Sequence, residues 1–420
     1  MRRGCVPAGN HAGRRNGRSV MRAGEARHTS ASPRIALALS GGGSRAMAFH
    51  LGCLRGLHQA GLLSQVSVIS SVSGGSVLAA LYCSEPGDFE AFERRVREVL
   101  ARGFVMPAIR TALTTPEGIK AVATAFVLAI DRSAAFMTRL GLKLMRLRLG
   151  PDCRWLRESP LRRWASRTTI LQRTFNTLFG GRKLPELRSD RPRLIIVACE
   201  LRAKAAFYFT AERLHCWRYG SADASGVEIA HAVAASASYP VALPALDERV
   251  TFTKDGASAT RRITLTDGGV YDNLGLAPFW PDRDPQISLD AGKFDRIIAC
   301  RAGYGLEIAD PAAFMPSRLI AAFESVHARA QNLAMTRLFD LKRAGRISDF
   351  LLPYLGQNDR NLAHPPADLV TRESVDAYPT DFSAMPTEWI DRLSRRGEQL
   401  VHALLAEHWS GFVPRPGATA

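Results

Sequence analysis

Between Arg34 and Tyr82 the chain twice passes from a short apolar run, closed by glycine or serine, into a longer run of helical spacing. "RIALAL" (Arg34 to Leu39) reads as a buried strand, being continuous, apolar and bounded by glycines. "RAMAFHLGCLRGLHQ" (Arg45 to Gln59) repeats small and apolar residues at helical spacing, and Gly61 is placed to close it. "VSVIS" (Val66 to Ser70) predicts a second strand and Gly74 to Tyr82 a second helix. Two such units with short joints imply an α/β fold with neighbouring parallel strands and right-handed crossovers.

The same grammar resumes after an interruption. "RLIIVACE" (Arg193 to Glu200), "AAFYFT" (Ala205 to Thr210), "RITLTDGG" (Arg262 to Gly269) and "FDRIIACRAG" (Phe294 to Gly303) predict strands. "EIAHAVAASAS" (Glu228 to Ser238) predicts a helix stopped before Pro240, and long helices are expected over Ser317 to Ala344 and Thr387 to His408. The interruption, about 101–186, is basic and punctuated by proline. Its "MTRLGLKLMRLRLG" places Arg139, Lys143 and Arg146 on one helical face, with Arg148 beyond, so an amphipathic insertion is expected. The organisation read from this order is a basic tail over 1–33, a core over 34–303 carrying the insertion, and a helical extension over 304–420 packed on the core.

The tail holds seven arginines, one acid and few large apolar residues, which is the composition of a disordered segment. It lacks the apolar centre of a signal peptide, and the internal Met21 offers a second possible start. No stretch reaches the roughly 18 to 20 apolar residues of a membrane span. "AVATAFVLAI" (Ala121 to Ile130) comes nearest and ends at Asp131. Seven cysteines without CxxC spacing read as reduced thiols, and no histidine cluster suggests a metal. With 56 Lys and Arg against 39 Asp and Glu, the net charge of +17 favours a polyanionic partner. No aromatic-interleaved basic motif supports nucleic acid, so the anionic face of a membrane is the expected partner. A cytoplasmic place, or one on the inner face of a membrane, follows as an expectation.

Chemistry is concentrated in "ISSVSGGS" (Ile69 to Ser76). Only Ser73 has the small neighbours needed where a strand turns sharply into a helix, the nucleophile-elbow arrangement. Ser71 stands where glycine is usual. Backbone N–H groups of Gly41, Gly42 and Gly43, at the end of the first strand, suit an oxyanion hole. Asp267, at the end of an apolar strand, is the candidate base, with Asn273 steadying its loop. Arg45 either braces the glycine loop or attracts an anionic headgroup. "GGGSRA" also satisfies a dinucleotide loop, but no Asp or Glu lies between Gly41 and Ser84 to hold a ribose. His50 and His58 read as packing residues.

In order, "LSGGGSRA", "SVSGGS", "ASASYP" and "DGGVYDN" resemble the patatin-like phospholipases over roughly Arg34 to Gly303. The resemblance implies a three-layer α/β/α fold with a mostly parallel central sheet and a helical insertion. It also implies a Ser–Asp dyad without histidine, lipid acyl hydrolysis and no cofactor. It assigns Ser73 as nucleophile and Asp267 as dyad partner. Gly41, Gly42 and Gly43 become the oxyanion loop, and Arg45 its basic position; Gly74, Gly268, Gly269 and Asn273 support the two loops. Ala46 replaces the glycine that often follows the basic residue. The rival expectation is a catalytically silent lipid-binding protein with a basic surface. Headgroup, acyl position and oligomeric state are not specified by these residues.

Overall fold

A computed structural model describes residues 34–144, 165–240, 242–283, 289–303, 314–376 and 378–412. The basic tail and the part of the insertion containing Arg146 and Arg148 lie outside the described residues, as do the Arg139 and Lys143 side chains. Among the described residues, ten strands form one sheet: β1 (Ile35–Leu39), β2 (Val66–Val72), β3 (Arg193–Glu200), β4 (Ala205–Phe209), β5 (Arg213–Cys216), β6 (Gly220–Asp223), β7 (Leu246–Lys254), β8 (Ala257–Asp267), β9 (Arg296–Cys300) and β10 (Asp349–Leu351). Their order is β10-β9-β1-β2-β3-β4-β5-β6-β7-β8, with β8 also pairing with β3.

The sheet is mixed, which corrects the expectation of a mostly parallel one. From β10 to β3 all pairings are parallel, and from β3 to β8 all are antiparallel. The change follows from connection length. The strands from β3 to β6 are joined by links of three or four residues and β7 to β8 by two, and such links permit only antiparallel neighbours. Asp255 (φ 51°) and Gly256 (φ 80°) make the last of these turns, both in the left-handed region that a two-residue hairpin demands.

On the parallel half, side chains alternate strictly. Ile35, Leu37 and Leu39 face one core, Ala36 and Ala38 the other. The first core is roofed by α1 (Gly43–Gln59), α2 (Gly74–Ser84), α3 (Phe89–Arg102) and a late helix, Thr387–His408. The Asp88 carboxylate caps α3 by accepting the Ala91 N–H at 2.8 Å. The second core takes Leu338 and Leu341 of the long helix Met315–Arg343, with Leu274, Phe279 and Phe294 from the connecting loops. Helical cover on both faces makes three layers around the parallel strands. Between α3 and β3 run α4 (Val105–Thr114), α5 (Pro116–Leu144) and α6 (Arg167–Phe179); α7 (Ile229–Ser236) and the single-turn α8 (Gly269–Asp272) flank β7 and β8. The long helix is α9 and the last is α10.

Candidate active site

Sheet register brings the two predicted groups together. β2 runs parallel to β3 and ends with Val72 opposite Val197. β8 runs antiparallel along the same flank of β3 and ends with Asp267 opposite Ala198. The C-terminal ends of β2 and β8 therefore meet head to head, one residue step apart on β3, about 3.3 Å of strand. Ser73 is the first residue beyond Val72.

Ser73 has φ 52° and ψ −121°, a strained geometry for any residue but glycine. Its surroundings hold it there. Its carbonyl accepts the Ser76 N–H at 2.8 Å, and its own N–H donates to Ser236 Oγ at 2.9 Å. Ser236 Oγ in turn donates to the Val197 carbonyl at 2.6 Å and lies 2.9 Å from Ser76 Oγ. On the other side, a Cβ on Gly74 would stand 2.1 Å from the Gly43 carbonyl, and one on Gly75 2.6 Å from that of Leu39. Only glycines allow α2 to start this close to the β1–α1 loop. Ser71, the departure from the usual pattern, is buried in β2 with Oγ 3.4 Å from the Ile195 carbonyl. Its hydroxymethyl group is accommodated within the strand and leaves the turn intact.

Asp267 is 4% exposed and Ser73 7%. Burial pushes the Asp267 carboxyl up to about 6, against the lowering effects of the Gly269 N–H and, more weakly, the Ser73 hydroxyl. The Gly269 N–H donates to Asp267 Oδ1 at 2.7 Å. Gly268 passes so near β3 that a Cβ there would be 2.2 Å from the Val197 carbonyl. Asn273 joins this loop to the glycine loop: its carbonyl accepts the Gly41 N–H at 3.1 Å, and its Oδ1 lies against both Gly41 and Gly269.

The Gly41 N–H is thus engaged. Among the described residues, no acceptor takes the N–H groups of Gly42, Gly43 or Gly74, which cluster at the N-termini of α1 and α2. Arg45 is half-buried and donates to the carbonyls of Ala302 at 3.1 Å and Tyr378 at 3.3 Å. His50 lies buried in α1, with Nε2 3.2 Å from the Cys300 carbonyl and its pKa lowered to about 3 by burial. His58 stacks on Phe89. Neither belongs to the site.

Several contributors have roles that only the folded arrangement reveals. Ser236 and Ser238 come from "ASASYP"; besides the Ser236 bonds, the Ser238 carbonyl accepts the Asp267 N–H at 3.1 Å. His327 of α9 lines a cavity beside Gly269, and burial and the Arg301 charge lower its pKa against the raising effect of the Gly269 backbone. This cavity, of about 650 Å³, opens between α8 and α9, lined by Gly269, Tyr271, Asn273, Trp280, Phe323 and His327 among others. No group of three metal-ligating side chains occurs among the described residues. A serine on a strained turn, a desolvated carboxylate beside it and three open N–H groups form a constellation suited to acyl transfer.

The fold compares with solved structures at low identity. The human GIVD cytosolic phospholipase A2 superposes with a TM-score of 0.53 at 14% identity, over 90% of this chain and 62% of that one. This chain therefore spans less than two thirds of that protein's length. The same human enzyme with methyl gamma-linolenyl fluorophosphonate and terbium chloride gives 0.48 at 14% identity, covering 90% and 59%. VipD from Legionella pneumophila gives 0.36 at 15% identity, covering 90% and 67%. A search of curated proteins by sequence found no match. The family profile described as "Patatin-like phospholipase" matches residues 37–280, a span that runs from β1 through the elbow and the DGG loop. The chain belongs to the patatin-like phospholipase family.

Proposed function

We propose that this protein hydrolyses carboxylic esters of phospholipids or lysophospholipids through a Ser73–Asp267 dyad and an acyl-enzyme. The observation that carries the proposal is the meeting of β2 and β8 on β3, which sets a strained serine beside a carboxylate raised to about 6. Asp267 accepts the Ser73 proton as Oγ attacks the acyl carbonyl. The oxyanion that forms receives the N–H groups of Gly42, Gly43 and Gly74, supported by the two helix N-termini. Collapse expels the lyso or alcohol fragment, which takes the proton from Asp267. Water, deprotonated by the same carboxylate, then attacks the acyl-enzyme; the acyl–Oγ bond breaks, Asp267 returns the proton to Ser73 Oγ, and the fatty acid leaves. Arg45, Asn273, Gly268 and Gly269 shape the loops and take no proton. Lipid substrates place the work at an anionic membrane face, and the net charge of +17 agrees with that.

The test compares wild type, Ser73→Ala and Asp267→Asn on phospholipid vesicles and a short-chain ester. Wild type is expected to release fatty acid, with kcat/KM rising as pH passes about 6, where the carboxylate becomes available. Both variants lose at least about two orders of magnitude, and a fluorophosphonate labels Ser73. A wild type that binds vesicles but cleaves neither substrate identifies a silent lipid-binding protein. Labelling at Ser76 with Ser73 untouched overturns the residue assignment.

A further inference from the structure

Helices α4 and α5 turn a stripe of large apolar side chains away from the protein. Met106 is 66% exposed, Leu113 82%, Ile119 76%, Val122 71%, Phe126 66% and Ile130 53%. On α5 the positions 119, 122, 126 and 130 fall on one helical face. No residue of α4 is buried. Over residues 105–130 the ionisable side chains are Arg110, Glu117 and Lys120, and the last two neutralise each other at 3.0 Å. An apolar surface of this extent marks an interaction site.

The corner between the helices shows what environment the pair suits. α4 and α5 meet at 88°. The Thr115 N–H and Oγ1 both donate to the Thr111 carbonyl, at 3.1 and 2.7 Å, and Thr114 Oγ1 donates to that of Arg110 at 2.8 Å. Pro116 opens α5 without an N–H to satisfy. A Cβ on Gly118 would stand 1.8 Å from the Ala112 carbonyl, so glycine is needed for the helices to cross. The two threonine hydroxyls at the corner are thus turned back onto helix carbonyls, which suits a low-dielectric boundary. No single described helix is long and apolar enough to cross a membrane, and the bend suits a pair lying in the interface with its apolar face inward.

Position selects the occupant. Phe104, just before α4, donates its N–H to the Phe382 carbonyl at 2.8 Å. One residue earlier on that segment, the Asp381 carbonyl accepts the Ser44 N–H at 2.8 Å, in the first turn of α1. The apolar pair is therefore tied through one short loop to the sheet edge carrying Ser73. We propose that α4–α5 is a lipid-docking element that inserts its apolar stripe at the headgroup–acyl boundary and seats the active edge on the lipid surface. This inference rests on the lipid acyl hydrolase reading and names the element through which that site meets its substrate.

The experiment uses the full chain, wild type and the double variant Leu113→Ser/Phe126→Ser, with phosphatidylcholine vesicles and with mixed phosphatidylcholine–phosphatidylglycerol vesicles. Wild type is expected to sediment with both, and to stay bound to the neutral vesicles at high salt. The double variant binds about tenfold or more weakly, yet cleaves the short-chain ester at the wild-type rate. Hydrogen exchange on wild type is expected to slow over residues 105–130 when vesicles are added, a readout independent of how the variant folds. Unchanged exchange in this segment, equal vesicle binding by the two proteins, or no binding by wild type overturns the proposal. A wild-type dimer that the double variant converts to monomer, with vesicle binding unaltered, assigns the stripe to a second copy instead. Failure of the hydrolase reading is separately visible, as vesicle binding without cleavage of either ester.

Discussion

In the proposed dyad, the burial of Asp267 carries a cost in stability. Its folded-state pKa, about 6, stands above the ordinary carboxylate value of 3.8, so the folded protein holds this proton more tightly than the unfolded chain. The stabilisation this gives is fully present below about pH 4 and is lost as pH rises through about 6. Above that the buried charge costs on the order of 3 kcal/mol. Asp267→Asn keeps an oxygen for the Gly269 N–H and removes the charge. In denaturant titrations the variant is expected to exceed wild type in stability at pH 8, with the gap closing toward pH 4; a gap of the same size at both would show that the carboxylate is not desolvated. Ser73 and Asp267 were legible because each ends an apolar run with small residues around it. The segment of Ser236 was marked by "ASASYP", but its role was not, since a hydroxyl in a helix of small residues looks like any other until α7 docks and its Oγ meets both the Ser73 N–H and the Val197 carbonyl.

Among elements, α1 is held by closeness of backbone. A Cβ on Gly52 would stand 1.7 Å from the Ser394 carbonyl of α10, and one on Gly397 2.2 Å from the Phe49 carbonyl of α1. The two helices cross where each offers a glycine, and neither carbonyl has a flexible end that can move aside. Gly52→Ala is expected to destabilise by about 3 kcal/mol or more, at the upper end for overpacking. Gly141→Ala, on α5 with open space around it, is expected to be neutral or to stabilise by about 0.5–1 kcal/mol. Equal midpoints for the two variants in urea would refute this account of the crossing. The same physics explains which elements were legible. Strands buried on both faces, such as β1 and β3, announce themselves as apolar runs. β5 ("RLHC") and β6 ("GSAD") are too short and mixed to do so, and their place is fixed by turns and by β4. The Asp-Gly pair at 255–256, a hairpin signal that the sequence reading passed over, makes β7 and β8 antiparallel neighbours.

At the scale of the whole molecule, the candidate active edge draws on segments far apart in the chain, and the last of them is secured by one buried arginine. Arg396 of α10 is fully buried, and its guanidinium donates to the carbonyls of Leu355 at 2.9 Å, Gln357 at 2.8 Å and Val370 at 2.7 Å, and to Asp359 Oδ1 at 2.9 Å. This fork fastens a stretch with little regular structure. Farther along the same stretch, the Tyr378 carbonyl receives Arg45 and that of Asp381 receives the Ser44 N–H. In the sequence Arg396 sits in "DRLSRRGEQL", where nothing separates it from its surface neighbours Arg392 and Arg395. Replacing it takes a partner from one carboxylate and from three carbonyls at once, so Arg396→Met is expected to lose about 3–5 kcal/mol in denaturant unfolding. Arg396→Lys keeps the charge but lacks the planar fork that reaches several acceptors together, and it is expected to recover only part of the loss. If Lys restored wild-type stability, charge alone would hold the segment. If Met cost under about 1 kcal/mol, below what one unsatisfied buried group commands, the clamp would have no role in keeping the glycine loop in place.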